Sequence, residues 1–188
     1  MPVPSPVQSI KANTTPLVFS VCAVSLGGVV GVTLGITGLA HSGQEFVTSG
    51  QATAELELVG LLSTNASVLM ILILGGLLMG VPTLIVLFQN GLVIGLLAGA
   101  AATSGELWIF LALTVPHATF ELPAFWIAGC VGLKLPFNLG EYLLERRDSL
   151  LCRRDLVHAA VLLSIAFALV ALGAVVESEV TARIARRL

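Results

Sequence analysis

From Ala66 to Thr103 the chain carries no charged residue, a run about twice as long as the roughly 20 apolar residues that one helical crossing of a bilayer requires. In hydrocarbon every backbone amide must find its partner within the protein, so such a run must fold as helix. Gly75, Gly76, Gly80 and Pro82 weaken a helix near its middle, and the run reads as a tight helical hairpin with spans over about 66–82 and 84–103. Gln89, Asn90 and Gly91 form a second polar break further on, which leaves a bent, partly re-entrant element as the alternative.

Three further apolar segments flank the hairpin, at about 16–40, 107–133 and 156–176. The first has no charge, and it exceeds the usual signal-peptide core of about 7 to 15 residues, so it reads as a retained span. Only 11% of the residues are charged, against about 25% in soluble domains, and the mean hydropathy is +1.00. A net charge of −2 without a basic surface excludes nucleic acid as a partner class. Cys22, Cys130 and Cys152 are odd in number and widely spaced, which excludes a disulfide framework and a CxxC site.

Charge placement orients the spans. The segment His41 to Asn65 holds Glu45, Glu55 and Glu57 without Lys or Arg and reads as a non-cytoplasmic loop, which puts the N-terminus in the cytoplasm. In GEYLLERRDSLLCRRD, Leu143, Leu144, Leu150 and Leu151 oppose Arg146, Arg147, Arg153 and Arg154, the pattern of an amphipathic helix lying in the headgroup layer over about 139–154. With Lys134 it marks a cytoplasmic face. An odd number of spans then leaves Arg183, Arg186 and Arg187 outside, against the simple charge rule.

Small residues recur every four positions at Gly27, Gly31 and Gly35, at Gly91, Gly95 and Gly99, and at Ala124, Ala128 and Gly132. Membrane helices associate by close packing rather than by hydrophobicity, so these stripes predict helix contacts within the bundle. A glycine-lined path or a homo-oligomer seam would use the same residues.

The span at 107–133 is the odd one, since it holds ionisable groups away from its ends. His117 and Glu121 lie one turn apart on one helical face, offset by only about 40°. A carboxylate near the bilayer centre costs about 2.5 to 3.5 kcal/mol on insertion scales, so Glu121 should be paired, protonated or facing water. Pro116 and Pro123 remove two amide donors nearby and loosen the backbone. Two readings follow: a satisfied pair, bonded to Asn90 on the preceding span, or a functional polar site. A metal centre would need a third ligand, and His41 and His158 fall in a loop and near a span end. No GxSxG or activated nucleophile accompanies the pair, so no catalytic residue, metal or cofactor is assigned.

QNGLVIG, from Gln89 to Gly95, followed by PHATFELPAFWIAG, from Pro116 to Gly129, resembles the stage II sporulation protein M family, small polytopic proteins with an Asn-Gly in one span and a Pro-His-Gly, Glu and Pro-Ala in the next. The resemblance falls on Asn90, Gly91, Gly95, Pro116, His117, Glu121, Pro123, Ala124 and Gly129, with Ala118 where glycine is common. It implies a membrane scaffold: the namesake supports peptidoglycan-degrading partners during engulfment, while relatives occur in organisms that never sporulate. Other relatives look like components of circular bacteriocin production, where maturation or transport is suspected.

The expectation is therefore an all-α, polytopic transmembrane helical bundle of about five spans, one membrane domain over 1–188, with a cytoplasmic interfacial helix between the last two. Its setting is the cell membrane, crossed several times, and its partners are the lipid bilayer and other membrane proteins. The expected role is a non-enzymatic organiser of a membrane complex. A transporter or channel component using His117 and Glu121 is the alternative, and an intramembrane enzyme the second.

Overall fold

In a computed structural model, residues 4–38, 58–181 and 183 of the chain are described. They form α1 (Pro6–Lys11), α2 (Thr14–Thr37), α3 (Leu58–Leu74), α4 (Val81–Ser104), α5 (Leu107–Leu143) and α6 (Arg153–Val176), with no strand among the described residues. A 3₁₀ turn, Gly75–Leu78, extends α3, and a π-helical turn, Glu177–Thr181, extends α6. Five helical segments, Thr14–Thr37, Gly60–Leu78, Val81–Ser104, Leu107–Leu143 and Arg153–Glu179, are long and apolar enough to cross a membrane. The protein is a multi-pass helical membrane protein.

The spans alternate in direction, and α5 is the hub. Its Gly132 meets Leu72 at the end of α3, its Gly129 meets Leu87 of α4, and its Lys134 meets Asp155 at the start of α6. The core around it gathers Val24, Leu69, Leu72, Leu87, Ala124, Phe125, Ala128, Ala166 and Val170, drawn from all five spans. At about 1.5 Å per residue the 37 residues of α5 measure roughly 55 Å, well beyond a hydrocarbon layer of about 30 Å. The helix runs unbroken through Pro116, Pro123 and Pro136.

The hairpin turn between α3 and α4 falls at Met79 and Gly80, both left-handed, with φ of 58° and 76°. Gly80 N–H closes the turn on the Gly75 carbonyl at 3.0 Å, and the buried Thr83 hydroxyl donates to the Leu72 carbonyl at 2.8 Å. That second bond satisfies a carbonyl freed where the helix ends.

Helices α2 and α4 lie side by side and run parallel, although α3 separates them in sequence. A Cβ on Gly27 would strike the backbone of Phe88 and Leu92, one on Gly31 that of Leu92 and Leu96, and one on Gly35 that of Leu96 and Ala100. From the other side, Cβ atoms on Gly91, Gly95 and Gly99 would strike the backbone at Val24, Gly28 and Val32. The two stripes thus face each other, backbone to backbone, which only glycine permits.

Two stretches take a different course from the one read in the sequence. Helix α3 starts at Leu58 instead of near Ala66, because Ser63, Thr64 and Ser67 return their hydroxyls to carbonyls of their own helix at 2.7 to 3.0 Å and so do not end it. The rest of the acidic loop, with His41, Glu45, Glu55 and Glu57, lies outside the described residues, as do Arg186 and Arg187.

The interfacial helix expected over 139–154 is absent as a separate element: residues up to Leu143 complete α5, and α6 begins at Arg153. The turn between them is pinned inward. Asn138 donates to the Leu150 carbonyl at 3.0 Å, Arg147 donates to the Ser149 carbonyl at 2.7 Å and to Asn138 at 2.8 Å, and it also pairs with Asp155. Glu145 adopts a φ of 56° to make the bend. A guanidinium occupied by three protein oxygens does not face headgroups as an amphipathic helix would require.

Candidate functional site

Glu121 projects from the middle of α5 between α3 and α6. Its carboxylate accepts a hydrogen bond from the Asn65 side-chain amide of α3. Gly173 of α6 makes room for it, since a Cβ there would stand 2.9 Å from Glu121 Cγ. Glu177, on the π-helical turn that follows α6, lies close enough to act electrostatically on both Glu121 and His117. Single π turns recur at functional sites.

His117 sits one helical turn before Glu121 on the same helix, half-buried. Its Nδ1 is sealed from solvent without a hydrogen-bond partner, and no ion pair joins it to Glu121 among the described residues. Asn90 is not part of this cluster's bonding: its amide turns back to the Val86 carbonyl of α4 at 2.8 Å. Asn65 supplies the amide that the sequence reading assigned to Asn90. It was missed because its polar neighbours placed it in a loop, and Glu177 was missed because it lies beyond the last apolar run.

The remaining sequence candidates serve packing. Gly27, Gly31, Gly35, Gly91, Gly95 and Gly99 line the α2/α4 seam, Ala124 is fully buried in the core, and Gly129 faces Leu87 and Ser20. Pro116 and Pro123 flank the His117/Glu121 pair within continuous helix.

Two carboxylates and an imidazole in one cluster can exchange protons or hold a cationic group, and Asn65 fixes the orientation of one carboxylate. No group of three His, Cys, Asp or Glu with metal-binding geometry occurs among the described residues. Replacing Asn65 with Leu is expected to destabilise the fold by about 1 to 3 kcal/mol, because Glu121 loses its donor while still enclosed. Thermal unfolding in detergent reads this directly, and unchanged stability would show that Glu121 reaches water.

A second polar cluster lies about 20 Å further along α5, toward its C-terminal end, if each residue advances about 1.5 Å. Lys134 pairs with Asp155 at 3.2 Å and donates to the Asn13 side chain, while the ring of His158 bonds the Ser9 hydroxyl at 2.9 Å. Asp155 also accepts the Cys152 amide at 3.0 Å, so it caps α6 while holding the hub.

The profile of the stage II sporulation protein M family matches residues 17–182. An uncharacterized protein of Methanocaldococcus jannaschii is 27% identical over 174 residues, covering 92% of this chain and 97% of the relative. No solved structure matches the chain.

Proposed function

The chain belongs to the stage II sporulation protein M family, and from that premise we propose that it is a non-enzymatic organiser of a membrane complex. The observation that carries this reading is the hub arrangement. Both polar clusters are spent on α5, tying it to the N-cap of α2, to α3 and to α6, while the spans turn long apolar faces outward, such as Leu26, Val29 and Ile36 on α2. A rigid bundle with free apolar faces suits helix-to-helix association with other membrane proteins.

The cluster of His117, Glu121 and Glu177 favours a second reading, proton or cation passage, because intramembrane carboxylate and imidazole groups mark such paths. Reconstitution into proteoliposomes separates the two. For an organiser, proton flux equals that of protein-free liposomes, and Glu121→Gln changes nothing. Cross-linking in the native membrane is then expected to recover membrane partners in fixed stoichiometry with both forms. Flux above background that Glu121→Gln abolishes, with folding and partners intact, overturns the organiser reading.

A further inference from the structure

The second polar cluster borders a pocket of about 520 Å³ at the end of the bundle where α1 meets α2, α5 closes and α6 begins. Its lining includes four cations, Lys11, Lys134, Arg147 and Arg154, and two anions, Glu141 and Asp155. Both anions are already engaged. Asp155 holds Lys134 and Arg147, and Glu141 lies 3.9 Å from Arg147. Lys11 and Arg154 have no acidic partner among the described residues, so the pocket keeps a positive excess.

Two helix ends reinforce it. The N-cap of α2 is Asn13, whose side chain is drawn away to the Ser9 carbonyl and to Lys134 and so makes no cap bond. The first amides of α2, at Thr14 and Thr15 on the pocket wall, therefore carry the positive end of the helix dipole uncompensated. Arg154 stands in the first turn of α6, where a cation is repelled by the same dipole effect. An anion in the pocket relieves both.

The apolar rim indicates which anion. Phe137 lines the pocket and packs edge-on against Phe19 at a centroid distance of 5.0 Å. Phe19 and its neighbour Val18 are half-exposed on the outer face of α2, inside a spanning segment. A molecule seated here meets positive charge at the membrane edge and apolar surface directly beneath it.

We propose that this pocket binds the phosphate of an anionic phospholipid, with its acyl chains along the Phe19 and Phe137 surface. The site is independent of the organiser reading, since any multi-pass protein with this pocket would take such a lipid.

Native mass spectrometry of the full chain, stripped of lipid in neutral detergent, tests it. One phosphatidylglycerol per chain is expected to be retained in preference to phosphatidylcholine. At about 1 kcal/mol for each basic residue at a membrane surface, Lys11→Ala with Arg154→Ala should weaken retention by at least about tenfold. Arg146→Ala with Arg153→Ala, which removes two exposed cations outside the pocket lining, should change it less than about twofold. Equal losses in the two double variants, or equal retention of the two lipids, overturn the proposal. Displacement of the lipid by millimolar inorganic phosphate reassigns the pocket to the free ion and overturns it as a lipid site. Lys11 and Arg154 are exposed, so folding should survive, and Lys11→Ala alone serves if the double variant unfolds.

Discussion

Asp155→Ala is expected to lower stability by about 3 to 5 kcal/mol, the cost of breaking a buried ion pair by removing one partner. Asp155 is 7% exposed and Lys134 is 9% exposed, so each charge has little water to fall back on. The substitution strands the Lys134 ammonium on Asn13 alone, releases Arg147 from the turn between α5 and α6, and removes the cap on α6. Lys134→Met should cost less, because Asp155 keeps Arg147 and the Cys152 amide. The double variant Lys134→Met with Asp155→Leu should recover part of the loss, since an apolar pair replaces an unpaired charge. Unfolding in mixed micelles supplies the measurement. A loss below about 1 kcal/mol for Asp155→Ala would show that the pair is solvated and worth only what a surface pair is.

The second large effect is expected in the α2/α4 seam. Gly31→Ala places a Cβ against the backbone of Leu92, with the Leu96 amide nitrogen 2.7 Å away. Backbone cannot rotate aside as a side chain can, so the helices must separate, at a cost of about 1 to 3 kcal/mol for overpacking. Gly31→Leu should abolish folded yield. Gly28→Ala is the internal control, because a Cβ there stands at an ordinary 3.8 Å from the Gly91 carbonyl and should change stability by less than about 0.5 kcal/mol. If Gly31→Ala and Gly28→Ala behave alike, the two helices do not pack in this register.

Length and hydropathy sufficed to read five helical spans, because a charge-free run in lipid has few alternatives to helix. The partner of each stripe was not legible: that Gly27, Gly31 and Gly35 face Gly91, Gly95 and Gly99 depends on how nonadjacent helices assemble. Polar partners were harder still. Asn65 and Asn90 are equally plausible donors to Glu121 by chemistry, and only the placement of α3 against α5 selects Asn65. Arg147 misled the reading of 139–154 for the same reason. Its alternation with leucine signals a helix at an interface, whereas its actual partners, Asn138 and Asp155, lie on either side of the turn.

The parallel α2/α4 seam also sets an order of events during synthesis. Gly31 leaves the ribosome about sixty residues before Gly95, which at about 5 to 20 residues per second is a delay of several seconds. Throughout that interval the first span waits in the bilayer with its grooved face vacant, and α3 must be inserted in the opposite direction before the matching face arrives. The tightest interface of the bundle thus closes only after an intervening span is in place, by a lateral search, and chains arrested after α3 leave that groove open to whatever helix reaches it first.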